Sequence, residues 1–259
     1  MRRVAWVPNA LFIVAVPLFL VTASVAWAFN SVGVYERGFD KYQISSYTGI
    51  TRADLVQVAA DIRHYFNSGE EPLAVRTRIF GEERDLFNSR EATHMRDVKR
   101  LIWGVYIIAV LSTAYLLATA GWGLARYRRR FAETLARRCL WGGGVTLALL
   151  LAVGLFALVG FDRLFLTFHQ ISFANDLWQL DPRTDYLVAL FPQNFWFDAT
   201  MWVATRAVAG ALAVTVFSGG YLLYLRRAAR GGGVGAQHAV GAPPGGERRG
   251  TACCAPTAA

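Results

Sequence analysis

Apolar residues in this chain fall into four long blocks, at about 7–30, 101–125, 139–161 and 200–225, separated by polar segments of unequal length. Each block holds about 20 or more residues, which at about 1.5 Å of helical rise per residue matches a hydrocarbon core about 30 Å thick. The pattern predicts four transmembrane helices. The first block follows Arg2 and Arg3 and contains Ala26-Trp27-Ala28, so it imitates a secretory signal. It is uninterrupted by charge from Val4 to Val34, however, and a cleavable apolar region is only about 7–15 residues long. It is read as a retained helix, bent at Pro17.

The polar stretches carry other periods. Thr51 followed by Asp54 opens a helix on which Leu55, Val58, Ala59, Ile62 and Phe66 recur at helical spacing, and Asn67-Ser68-Gly69 closes it. Leu73, Val75, Thr77 and Ile79 then alternate with Ala74, Arg76 and Arg78 as in a strand, before a turn at Gly81. A further helix starts near Asn88 or Ser89 and runs through Glu91 to Lys99, without Gly or Pro, into the second span. Residues 162–199 are rich in aromatics, as expected of chain lying in the membrane interface or dipping into it. The expected fold class is an all-α membrane protein of four transmembrane helices. A small α/β cap lies between helices 1 and 2, and an aromatic-rich segment between helices 3 and 4. Residues 1–230 form a single integral membrane domain, and 231–259, rich in Gly, Ala and Pro, are expected to be a disordered tail.

Composition agrees: 54% hydrophobic and 17% charged residues are too apolar a balance for an ordinary soluble domain. Charge adds orientation. Between the second and third blocks, Arg126, Arg128, Arg129, Arg130, Arg137 and Arg138 face a single acid, Glu133, and Arg226, Arg227 and Arg230 follow the fourth block. The positive-inside rule makes these segments and both termini cytoplasmic, so 31–100 and 162–199 are extracytoplasmic. The net charge of +9 thus reports topology, and no nucleic-acid site is read from it. Cys139 lies at the inner end of the third span and Cys253 and Cys254 in the tail, so no disulfide is expected outside. The spacing of His238 and the tail cysteines fits no standard metal site.

Candidate chemistry gathers where the cap returns to the membrane. His94 and Asp97 are three apart on one helical face, where a carboxylate can orient an imidazole. His94 lies about 10 Å outside the apolar boundary at Leu101, at headgroup depth. His169 also lies several residues beyond a span end and can share that layer. There is no Gly-x-Ser-x-Gly elbow, outer cysteine nucleophile or His-Glu-x-x-His zinc motif. A metal site from His64, His94, His169 and Asp97 would have unspecific spacing, and none is assigned. The second and third spans carry no charged side chain, which argues against a transporter or channel. Arg206 is the exception in the fourth block, suited to a polar cleft, a lipid headgroup or snorkelling. A transporter component and a non-catalytic partner-binding membrane protein remain the alternatives to an enzyme.

Several ordered runs stand out: Tyr35-Glu36 with Gly38-Phe39, Gly49-Ile50 with Asp54-Leu55, and His94 followed by Asp97-Val98-Lys99. Later come Phe168-His169 with Phe173, Asn175, Trp178 and Pro182, then Phe191-Pro192 and Phe195-Trp196. In these runs, over nearly its whole length before the tail, the chain resembles the lipoprotein intramolecular transacylases and related bacterial membrane proteins. The resemblance implies an acyltransferase of the bacterial plasma membrane. Such an enzyme moves an acyl chain from the sn-2 ester of a lipoprotein's diacylglyceryl group to the α-amino group of its N-terminal cysteine, giving a lyso-form lipoprotein. Its partners would be membrane lipids and lipidated lipoprotein N-termini, with no cofactor. It implies catalytic roles for His94 and His169. On this reading His94, oriented by Asp97, takes a proton from the amine, and His169 stabilises the oxyanion or protonates the leaving alcohol. Lys99, Asn175 and Glu36 are candidates for charge stabilisation or positioning, Lys99 also for snorkelling. Arg206, Phe191 and Trp196 are the expected substrate or lipid contacts. His64 is read as a partly exposed residue of the cap helix.

Overall fold

A computed structural model describes the backbone of residues 6–239 and the side chains of residues 9–230. Four helices are long and apolar enough to cross a membrane: α1 (Trp6–Asn30), α5 (Ser89–Tyr127), α6 (Arg129–Ser172) and α8 (Gln193–Ala239). Helix α1 packs against the other three, and α6 lies along α8. At 39 residues α5 is about 58 Å long, almost twice the hydrocarbon thickness, so its opening turns from Ser89 to Arg100 stand clear of the apolar block.

Helix α6 is also longer than its apolar block. Gly160, at φ −158° and ψ 59°, kinks it where that block ends, and the helix then continues to Ser172. Together with the start of α8 at Gln193, this makes both ends of 162–199 helical. Only 173–192 connects the long helices, with a short α7 (Tyr186–Leu190) inside it. The reason is periodic: Phe161, Phe165, Phe168 and His169 recur at helical spacing and make one face. Within the tail, α8 continues over 231–239, each added residue of a formed helix needing little further ordering, and 240–259 lie outside the described residues. Cys253 and Cys254 lie outside the described residues.

Between α1 and α5 sits the cap, made of α2 (Val32–Lys41), α3 (Ile44–Thr48), α4 (Arg52–Asn67) and an antiparallel hairpin of β1 (Arg76–Ile79) and β2 (Glu82–Asp85). Helix α4 starts as its sequence predicts, with the Thr51 hydroxyl accepting from the Asp54 N–H at 3.2 Å. Leu73, Val75, Thr77 and Ile79 are all buried, and β2, which has no apolar alternation, is exposed throughout. Two glycines fit this packing. Gly49 sits at φ +69° where α3 ends, and a Cβ on Gly38 would lie 2.3 Å from the Phe195 ring, so only a bare backbone lets α2 approach α8 this closely. Tyr35 and Phe39 join the cap core to Phe191 across ring contacts of 6.0 and 5.8 Å.

Candidate active site

A reciprocal capping box starts α5. The Asn88 side chain accepts from the Glu91 N–H at 3.0 Å, and the Glu91 carboxylate accepts from the Asn88 N–H at 2.8 Å. His94 follows on the second turn, buried at 6% exposure. His169 arrives from the last turn of α6, nearly as buried. Their ring centroids are 6.2 Å apart. Aromatic rings enclose the pair: Phe173 stands edge-on to His94 at 5.0 Å, while Phe165 and Trp178 lie 4.3 and 5.1 Å from His169.

The two rings differ in hydrogen bonding. His169 Nδ1 is 2.8 Å from the Phe165 carbonyl, which can only accept, so the ring proton resides on Nδ1 and Nε2 keeps its lone pair. His94 Nδ1 is buried without a partner. An unpaired buried polar atom costs about 1–3 kcal/mol, so a ligand able to bond it is favoured at this point.

Both histidines line a cavity of about 230 Å³. Its remaining wall is almost wholly apolar, reaching Leu101 and Ile102, where the second apolar block begins, and Phe29 and Phe66 from α1 and α4. The cavity therefore runs from the two histidines to the start of the second apolar block, with two imidazole rings beside an apolar surface. That geometry suits chemistry on an ester whose chains remain in lipid.

Residues 10–196 match the family described as lipoprotein intramolecular transacylase Lit. The chain belongs to this family. It is similar to the membrane-integral lipoprotein intramolecular transacylase Lit from Bacillus cereus in its in meso structure, with a TM-score of 0.70 and 14% identity, covering 88% of this chain and 99% of that one. Structures of a histidine-to-arginine and a histidine-to-alanine variant of the same protein give TM-scores of 0.57 and 0.56 at 18% identity, covering 85% of this chain. They cover 94% and 95% of those chains. An uncharacterized protein of Aquifex aeolicus (strain VF5) is 28% identical over 122 residues, 46% of this chain and 50% of that protein's length. This Lit-family chain is a multi-pass membrane protein.

Phe191 and Trp196 line the cavity, whereas several other candidates bond to partners outside it. Asp97 does not orient His94 by a hydrogen bond. Its carboxylate accepts from Asn175 Nδ2 at 2.9 Å and from Arg100 at 3.4 Å, so Asp97 and Asn175 together tie α5 to the connection after α6. Lys99 neither snorkels nor reaches the cavity. It is buried, donating to the Glu70 carbonyl at 2.6 Å beneath the Tyr65 ring, with Glu71 3.7 Å away, and so clamps the cap to α5. Burial and Glu71 push the Tyr65 phenol up, keeping it a donor to that carboxylate. Glu36 is half-buried on α2 outside the cavity, where its neighbour Tyr35 contributes instead. Arg206 lies outside it too, with Cζ 3.9 Å over the Trp27 ring. His64 is exposed and 3.5 Å from Glu70.

Three contributors were not among the candidate site residues. Tyr35 lines the cavity while donating to the Phe29 carbonyl at 3.0 Å, and Gln193 lines it while donating to Asp162 at 2.7 Å. Glu91, 1% exposed, accepts from the Leu187 N–H at 2.6 Å as well as from Asn88, so it fastens α7 over the helix that carries His94. The Asn88-x-x-Glu91 spacing is a capping-box signal, but nothing local reveals the second bond, which crosses 96 residues.

Proposed function

We propose that this Lit-family protein is an intramolecular lipoprotein transacylase that works at the cavity between His94 and His169. The acceptor amine has a reference pKa of about 7.7–8.0, so much of it is protonated at neutral pH and a base must free its lone pair. His169 takes this role because its Nδ1–H is held by a carbonyl and its Nε2 lone pair is left available. His94 supplies the second contact, its ring N–H holding the oxyanion. These roles exchange those expected from the sequence, since the orienting acceptor belongs to His169 and not to His94. The neutral amine nitrogen bonds to the ester carbon, His169 Nε2 takes the proton this nitrogen sheds, and as the ester C–O bond breaks the His169 imidazolium gives that proton to the sn-2 oxygen. No water enters, and no acyl chain is carried by the protein.

The observation that carries this reading is two buried imidazoles, 6.2 Å apart on separate helices, sharing one largely apolar cavity. An ester between them is within reach of both. The more open groove of about 700 Å³ behind Phe165, Trp178, Leu180 and Val188 is a path for the polypeptide that follows the lipidated cysteine. Membrane lipids fill the surroundings, and the cap with both histidines faces the extracytoplasmic side. The test is purified protein with a synthetic diacylglyceryl-cysteinyl peptide. The product should have unchanged mass and a free amine no longer labelled by an amine-reactive reagent. Release of fatty acid with a matching mass loss would make the protein a hydrolase and contradict the proposal.

A further inference from the structure

Arg206 is the only charged side chain within the fourth apolar block, and it is accommodated in a specific way. Helical side chains lean toward the helix N-terminus, which for α8 is the cap side. Arg206 accordingly reaches Trp27, three residues before the end of α1, and lies over its indole. One turn earlier on α8, Trp202 receives Arg37 from α2, with Cζ 4.8 Å from the ring centroid. Neither guanidinium has a carboxylate within ion-pair distance among the described residues. The third cation on this face, Lys41, is neutralised by Asp198, which also accepts from the Tyr42 hydroxyl at 2.9 Å.

We propose that Arg37 and Arg206 form a binding site for the phosphodiester headgroup of a phospholipid in the cap-side leaflet. Each indole supports one face of a guanidinium and leaves its edge N–H groups free, a geometry that matches two phosphate oxygens at once. A groove of about 310 Å³ between α2 and α8, lined by Arg37, Trp202 and the paired Lys41 and Asp198, gives the headgroup room on the Arg37 side, with Arg206 outside its lining one turn further along α8. Further along α8, Leu212, Val216 and Phe217 are 48%, 66% and 78% exposed and offer an apolar track for the acyl chains. A lipid source is favoured over free phosphate because Arg206 lies within the apolar block, where an anion anchored at the interface reaches it. This site is separate from the histidine cavity, and the inference holds whether or not the transacylase reading does.

The test is native mass spectrometry of the purified full chain in mixed micelles, comparing phosphatidylglycerol with diacylglycerol of the same chains. Phosphatidylglycerol should be retained preferentially. A basic residue beside an anionic headgroup strengthens binding about fivefold, so R37A/R206A should weaken retention about 30-fold. R37K/R206K keeps the charge without the planar fork and should fall between, and it decides the matter if the alanine pair does not fold in a thermal unfolding control. Equal retention of the two lipids overturns the proposal, as does undiminished retention by either double variant. Displacement of the lipid by excess inorganic phosphate overturns the lipid assignment in favour of a soluble phosphate site.

Discussion

Glu91→Gln tests how the wall of the cavity is held. The native carboxylate accepts from two backbone N–H groups of different segments, Asn88 at 2.8 Å and Leu187 at 2.6 Å, at 1% exposure. A glutamine offers one acceptor oxygen, so its amide nitrogen must face one of these donors and leave it unpaired. An orphaned buried donor costs about 1–3 kcal/mol, equivalent to about 5- to 150-fold in the local opening of the segment around α7. Asp181 to Leu190 is otherwise fastened by Asn88 to Asp185 at 2.9 Å and by the Asp181 N–H to Asp185 at 2.8 Å, bonds the substitution leaves in place. Arg183, its side chain 87% exposed, provides a tryptic site within this segment. Cleavage requires local opening, and its rate follows the open population when closing is fast. Nicking at Arg183 should therefore accelerate about 5- to 150-fold, with slower nicking at Arg84 in the cap hairpin unchanged, and turnover should fall because Leu187, Val188 and Phe191 line the cavity. A folded variant with an unchanged rate at Arg183 would refute the reasoning.

Other perturbations separate the remaining roles. Lys99→Met leaves the Glu70 carbonyl and Glu71 without their ammonium partner and should lower stability by about 1–3 kcal/mol in thermal unfolding, with little change in kcat once folded. Asp97→Asn should reduce kcat far less than the 10² to 10⁴-fold associated with loss of a catalytic base, because Asp97 binds Asn175 and not the His94 ring. A loss within that range would restore Asp97 as an orienting group. Reporter fusions after Gly81 and after Gly231 should give opposite compartments, with Gly81 outside; an inside signal at Gly81 would place the histidines in the cytoplasm.

The spans, the Thr51 helix and the inward strand alternation were legible in the sequence because each rests on a local period or cap. The pairing of His94 with His169 was legible as a shared depth, inferred from distance to the nearest span end, and through the family resemblance of the runs that hold them. The helical continuation through Phe161, Phe165 and His169 carried its own signal in their spacing, which aromatic content alone obscured. The bonds of Lys99 and Asp97 were hidden for a common reason. Both sit near His94 in sequence, yet their partners, Glu70 with Glu71 and Asn175, come from distant segments that no local pattern connects. Glu91 was hidden similarly, since one of its two bonds is local and the other is not.

The central claim is that His94 and His169 act on one ester, and the direct measurement is transacylation by the folded variants His94→Ala and His169→Ala, with His64→Ala as control. Mass spectrometry with amine labelling of the diacylglyceryl-cysteinyl peptide reads the product. Each cavity variant should lose about 10² to 10⁴ in rate, and the double variant little more than the worse single, because groups acting as a unit are not additive. His64→Ala should match the parent. Near-parental turnover in either cavity variant, with the fold intact, would contradict the shared-site account.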